Sequence, residues 1–210
     1  MRVVSGKLRG KKLGHFKGFD IRPTTDRVRE ALFNILATRV DMRGARVLDL
    51  FAGTGAVGIE ALSRGAKAVT FVDSDSAAIK IMEKNIRACG FEESVTVLRR
   101  EAVLTVKGLS HRADRFEFIF LDPPYSSSIL GTAVSEIAMS GLLAPEGVVV
   151  AESAKRAPLV VKGEKAHAGT RIGSLSVDEV RTYGDTLLYL MSSTEEGLDE
   201  GAESSEDEGN

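Results

Sequence analysis

The chain has 210 residues, 43% hydrophobic and 28% charged, with a net charge of −2; this is the make-up of one globular domain with a full core, not of a fibre. No apolar run approaches the ~18 residues of a membrane span, and the opening MRVVSGKLRGKK lacks the apolar stretch of a secretory signal, which predicts a cytoplasmic protein that meets no membrane. The single cysteine, Cys89, excludes an internal disulfide, and with His15, His111 and His167 isolated from one another no metal site is expected.

Charge is unevenly spread. Residues 1–46 hold twelve Lys/Arg against four Asp/Glu, a local net of +8. This pattern fits a polyanion-binding surface and equally a solvated face. Next, RPTTDRVREALFNILATRV reads as a helix that Thr24 or Thr25 can cap, with Val28, Leu32, Ile35, Leu36 and Val40 on one side and Arg27, Glu30 and Asn34 on another. From Ala45 onward, short apolar runs at 45–51, 68–73, 94–100, 116–122 and 147–153 predict strands. Helices are predicted between them near 55–64, 75–89, 102–109 and 128–142, with Gly65 and Gly90 as stop signals. Buried strands separated by helices imply a parallel sheet with right-handed crossovers. Residues 154–170 read as a surface loop. Val177–Tyr183 and Thr186–Met191 flank Gly184-Asp185 as a closing hairpin with at least one antiparallel strand. Residues 195–208 carry eight acids and no base, too polar to bury a core, and are expected to be disordered. The organisation expected is thus a basic hairpin and helix at 1–44, an α/β domain at 45–193 and an acidic tail at 194–210.

The first strand runs into LDLFAGTGAVG, in which Gly53, Gly55 and Gly58 have the G-x-G-x-x-G spacing. Such a loop lets backbone approach a ligand at a helix N-terminus, and Asp73, ending the second strand, suits ribose hydroxyls; a dinucleotide is therefore one candidate. Asp49 favours another. Four residues before the first glycine, it would repel a pyrophosphate but attract the ammonium and sulfonium end of S-adenosylmethionine.

At the end of the fourth strand stands LDPPYS. Two prolines cannot continue a sheet ladder, so Asp122 and Tyr125 fall at its rim. A planar amine is a poor nucleophile because its lone pair is delocalised. If Asp122 and the Pro123 carbonyl each accept one N–H, the lone pair can point at a methyl donor while Tyr125 stacks on the ring. Positioning of this kind needs neither a metal nor a catalytic cysteine.

VVSGKLRGKKL, RPTTDRVREALFNIL, VLDLFAGTGAVGIEALSRGA and FIFLDPPY, in this order, resemble the bacterial RsmD family of 16S rRNA guanine-N2 methyltransferases, from about Arg2 to Met191. The resemblance implies a Rossmann-like class I methyltransferase fold: a seven-stranded, mostly parallel sheet with one antiparallel strand, helices on both faces and a small N-terminal extension. It implies S-adenosylmethionine as cofactor, held by Asp49, Phe51, Gly53, Gly55, Asp73, Glu101, Ala102 and Asp122. It further implies catalysis by Asp122, Pro123 and Tyr125 on the N2 amine of a guanine in 16S rRNA within a small-subunit assembly intermediate, by a monomer. RPTTDRVRE would form a lid. Arg2, Lys7, Arg9, Lys11, Lys12, Arg22, Thr24, Arg27, Arg29, Pro124 and Tyr125 would contact substrate, the bases by gripping phosphates. Many relatives carry Asn or Asp where Glu101 stands, and a typical relative ends before the acidic tail. Adenine-N6 methylation, an NAD-dependent oxidoreductase and a non-catalytic RNA-binding assembly factor remain alternatives at this stage. Glu152-Ser153 reads either as a strand terminus or as part of the pocket.

Overall fold

The computed structural model describes residues 1–15, 26–112, 114–124 and 129–194. Five strands run parallel: β1 (Arg46–Leu50), β2 (Ala68–Asp73), β3 (Val95–Arg99), β4 (Phe116–Leu121) and β5 (Leu143–Ala154). Helices α2 (Ala56–Ser63), α3 (Ser76–Cys89), α4 (Ala102–Ser110) and α5 (Ile129–Ser140) connect them in turn. Every predicted strand and crossover helix is present. Only β5 starts well before its predicted place, because a bulge opposite Phe116–Phe118 lets the pairing begin at Leu143.

The expected seven strands are corrected to eight. β10 (Thr186–Ser193) enters between β5 and β9 (Leu175–Tyr183), antiparallel to both, and β8 (Arg171–Ile172) adds an antiparallel edge beyond β9. Gly173, at φ 57°, turns β8 back onto β9 in a conformation that residues with a Cβ rarely adopt. The stretch read as a loop also contains a ribbon, β6 (Val160–Val161) paired with β7 (Glu164–Lys165). Lys162-Gly163, both at positive φ, is the two-residue turn that a right-twisted hairpin favours. The acidic tail from residue 195 lies outside the described residues.

Alternate strand residues feed two cores, as period-two geometry demands. Val47, Phe71, Phe118, Phe120 and Val150 face α2, α3 and α1 (Asp26–Leu36), whereas Leu48, Val72, Ile119, Leu121 and Val149 face α4 and α5. In α1, Val28, Leu32 and Leu36 point inward and Arg27, Glu30 and Asn34 outward, following the predicted periodicity. Phe33 meets Phe118 edge-on with ring centroids 6.2 Å apart. Residues 1–15 double back through an antiparallel bridge between Arg2 and Lys12, and their Val3 and Leu13 are buried in the same core as α1.

One fully buried carboxylate ties these parts together. Glu60, on α2, accepts the backbone N–H groups of Val4 (2.7 Å) and Ser5 (2.9 Å) and the Arg64 guanidinium (2.9 Å). The Arg29 guanidinium lies 3.8 Å away and donates to Asp26 at 2.9 Å and to the Arg2 carbonyl. Arg29 is 0% exposed, which corrects its expected place on an RNA surface: it is an internal cation holding α1 to α2. One turn further, the Ser63 hydroxyl donates to the Ser5 carbonyl (2.7 Å) and accepts from the Leu8 N–H (3.0 Å). Gly6 permits this approach, since a Cβ there would stand 2.0 Å from the Ser63 carbonyl oxygen. Glu60→Ala strips Arg29 of its buried partner and should cost about 3–5 kcal/mol. Chemical unfolding checks this, with Glu60→Gln, which keeps two acceptor positions, recovering part of the loss. A midpoint equal to the parent's would contradict the network.

Candidate active site

Where β1 passes into α2 the chain turns through three left-handed residues, Phe51 (φ 59°), Gly53 (φ 55°) and Gly55 (φ 76°). The glycines have different reasons. A Cβ on Gly58 would stand 2.3 Å from the Phe71 ring, so it allows α2 to lie close on β2. At Gly55 a Cβ would approach Met82 Cγ to 2.9 Å. At Gly53 it would meet only the Phe51 carbonyl oxygen, 4.0 Å away, and the loop is thus open to a ligand on this side.

Asp49 projects from β1 beneath this loop and is 2% exposed. Its carboxylate accepts the Gly58 N–H at 2.9 Å, doing for α2 what its N-cap, Gly55, has no side chain to do. Burial pushes its pKa well above the ordinary carboxylate value; the Gly58 N–H opposes this, and the charges of Asp122 and Asp73 add to the rise. Asp73, at the end of β2, accepts the N–H groups of Gly53 (2.8 Å) and Asp75 (2.9 Å) and so pins the loop to the start of α3. Asp75 in turn caps α3 through the Ala77 N–H at 2.8 Å.

Asp122 follows Leu121, whose partner on β1 is Leu50, and is half-buried; Pro123 is buried and Pro124 exposed. Asp49, Asp73 and Asp122 share the parity of Val47, Phe71 and Phe120, so all three rise from the face that carries α2 and α3. Glu152, 1% exposed, belongs with them. It shares the parity of Val150 and lies one residue past Ala151, the partner of Leu121, which brings it beside Asp122. An acid directly after the apolar run VVVA was the signal for it.

At the tip of β3, Glu101 is the exposed N-cap residue of α4 and Ala102 is buried against the second core. Phe51 packs half-buried on that same core. Arg2, Lys7, Arg9, Lys11, Lys12 and Arg27 are exposed, and Arg2 lies 3.7 Å from Asp26. Arg22, Thr24 and Tyr125 lie outside the described residues. Asn85 escaped the sequence reading. It is 2% exposed on α3, accepts the Gly14 N–H (2.7 Å), and donates to the carbonyls of Gly14 (3.1 Å) and Thr54 (2.9 Å). Its amide therefore couples the N-terminal segment to the glycine loop; an amide on the apolar side of an amphipathic helix was its only signal. Among the described residues no group of His, Cys, Asp and Glu is placed to hold a metal ion.

Residues 1–180 match the family model described as Conserved hypothetical protein 95. Ribosomal RNA small subunit methyltransferase D of Haemophilus influenzae is 33% identical over 162 residues, covering 76% of this chain and 82% of that protein. The chain belongs to the RsmD family. Its Escherichia coli relative of the same name is 37% identical over 155 residues, with 73% and 74% of the two chains covered. Among solved structures, a hypothetical protein of Thermus thermophilus superimposes with a TM-score of 0.75 at 30% identity over 90% of the RsmD-family chain and 98% of its own. The fold is accordingly that of the Rossmann-like methyltransferases.

In this RsmD-family chain the buried Asp49 binds its proton more tightly when folded than when unfolded. Its contribution to stability is full below the unfolded pKa and is lost as pH rises through the raised folded value. Asp49→Asn, which keeps an acceptor for the Gly58 N–H, should remove that pH-dependent loss and leave the ligand-free protein at least as stable at neutral pH. Affinity for a cationic ligand should fall about tenfold to a hundredfold. Unfolding across pH 4–8 and calorimetry with S-adenosylmethionine check both halves.

Proposed function

We propose that the chain is an S-adenosylmethionine-dependent methyltransferase acting on the exocyclic N2 amine of one guanine in 16S rRNA, as a monomer in the cytoplasm, on a small-subunit assembly intermediate. The convergence of Asp49, Asp73, Asp122 and Glu152 on one face at the carboxyl edge of the sheet carries this reading. Acids so grouped repel one another, and a cationic ligand relieves them where a pyrophosphate would add to the repulsion. The names of the family relatives point to ribosomal RNA of the small subunit as substrate.

When bound, the cofactor supplies a methyl group on a sulfonium. The chain's own residues do the rest. Asp49, Phe51, Gly53 and Gly55 receive the methionine end; Asp73 keeps lone pairs for the ribose after accepting Gly53 and Asp75; Glu101 and Ala102 border the adenine. Asp122 and the Pro123 carbonyl each accept one N–H of the target amine, which turns its lone pair toward the methyl group. Asp122 would also take up the proton released on transfer. Pro124 and Tyr125 would flank the ring. Holding both reactants in line supplies about 7–11 kcal/mol of the barrier without a covalent intermediate.

Glu152 favours guanine over adenine. Guanine presents an N1–H donor beside its amine, which a second carboxylate can accept, whereas adenine presents a lone pair at N1 that a carboxylate repels.

Purified protein, labelled S-adenosylmethionine and small subunits from cells lacking this activity should yield N2-methylguanosine at one position by mass spectrometry. Asp122→Ala should lower transfer by at least about a hundredfold while S-adenosylhomocysteine still binds. Label on adenine would overturn the choice of base; undiminished transfer by Asp122→Ala would overturn the mechanism.

A further inference from the structure

Residues 1–15 contain five bases, Arg2, Lys7, Arg9, Lys11 and Lys12, and no acid; α3 contains Lys80, Lys84 and Arg87 with the single acid Glu83. On an α-helix Lys80, Lys84 and Arg87 fall within about 60° of one another, opposite the buried Met82 and Ile86. All three are exposed, and none has an ion-pair partner among the described residues. Several bases elsewhere are matched: Arg39 with Asp178 and Glu179 at 3.2 Å each, Arg46 with Glu117 at 3.5 Å, Lys107 with Glu136 at 3.6 Å.

The N-terminal segment is laid along the flank of the same helix. Lys7 Nζ stands 4.6 Å over the ring of Phe91, just beyond the end of α3. Burial raises the pKa of the Cys89 thiol, and Lys11 is near enough for its charge to act against that rise. Gly14 is bonded to Asn85 on both its N–H and its carbonyl. From Lys7 to Gly14 the chain thus travels from the end of α3 toward its start, where Asp75 and Asp73 border the acidic site. The two sets of cations thus flank the same helix on the way to the acidic edge, and a polyanion would relieve their mutual repulsion.

We propose that Lys80, Lys84 and Arg87 form the outer row of a phosphate track, with the N-terminal bases as its inner row, that holds the RNA flanking the target nucleotide. This rests on the functional reading above and adds α3 to it. Steps of about 6 Å and 4.5 Å along the helix suit a chain of regularly spaced single charges. On the opposite face, α4 and α5 expose Leu104 and Met139, and Lys107 is paired with Glu136.

The test measures binding of a 16S rRNA fragment to the full chain between about 50 and 200 mM salt. Lys80→Glu/Lys84→Glu/Arg87→Glu, and separately the three changes to Gln, are compared with Lys162→Glu/Lys165→Glu on the β6–β7 ribbon, which packs with α5 on the far face. Each lost phosphate contact lowers the slope of log affinity against log salt by about 0.7–0.9. The α3 variants should therefore lose about two to three units of slope and at least about tenfold in affinity at low salt. The ribbon variant should match the parent, and all should keep their S-adenosylhomocysteine affinity and unfolding midpoint. Slopes equal to the parent's in the α3 variants would overturn the track whatever methyl transfer shows. A parent that binds RNA through α3 yet transfers no methyl to small subunits would overturn the functional reading and support the track.

Discussion

The carboxylate of Glu60 is the interaction on which the rest depends. It sits on the helix that begins at the glycine loop, and it gathers two backbone N–H groups of the N-terminal segment and the guanidinium of Arg64, with that of Arg29 close by. A charge with no exposure is tolerated because its oxygens are hydrogen-bonded and opposite charges stand beside it. Hairpin, first helix and the helix after the glycine loop are thereby joined at one side chain. Asn85 repeats the connection with a neutral amide, from Gly14 to Thr54, on the other side of the loop. The segment before the sheet is thus tied to the body of the molecule at both Glu60 and Asn85.

The site itself opposes the stability of the fold around it. Three carboxylates rise from neighbouring strands of one sheet face with a fourth beside them, and burial alone drives Asp49 toward its neutral form. Such strain persists where the surrounding structure over-determines it. Here the Gly58 N–H and the N-terminus of α2 hold Asp49, and the Gly53 and Asp75 N–H groups hold Asp73. The backbone thus pre-orders a negative site before any ligand arrives, which is the electrostatic sense in which a cation is expected.

Much of this was legible in the sequence. Period two and period 3.6 located the parallel strands and crossover helices, because strands buried on both faces can be little other than apolar runs. The glycine spacing, Asp49 and DPPY marked the carboxyl edge of the sheet. Two-residue strands escaped: β6 to β8 lie in a region without hydrophobic pattern and rest on turns at Lys162-Gly163 and Gly173. Arg29 misled for a physical reason. In a run of alternating charges an arginine reads as solvated, and it takes the buried Glu60, 31 positions away in sequence, together with Asp26 and the Arg2 carbonyl, to make the interior habitable for it. Glu152 was visible as an acid ending a strand, but its place beside Asp122 is a matter of register, which no local pattern states.

The position of β10 in the sheet has a consequence for the order in which the molecule comes into being. The strands that carry the acidic site are made early, yet the strand that separates β5 from β9 is Thr186–Ser193, which follows all the other described strands in sequence. β9 and β10 are joined by the two-residue turn Gly184-Asp185 and can pair as a local hairpin, so the edge of β5 stays uncovered until that hairpin docks through β10. The sheet is therefore completed by docking of a hairpin onto β5, and until then the strands that carry the acids stand on a scaffold with one open edge.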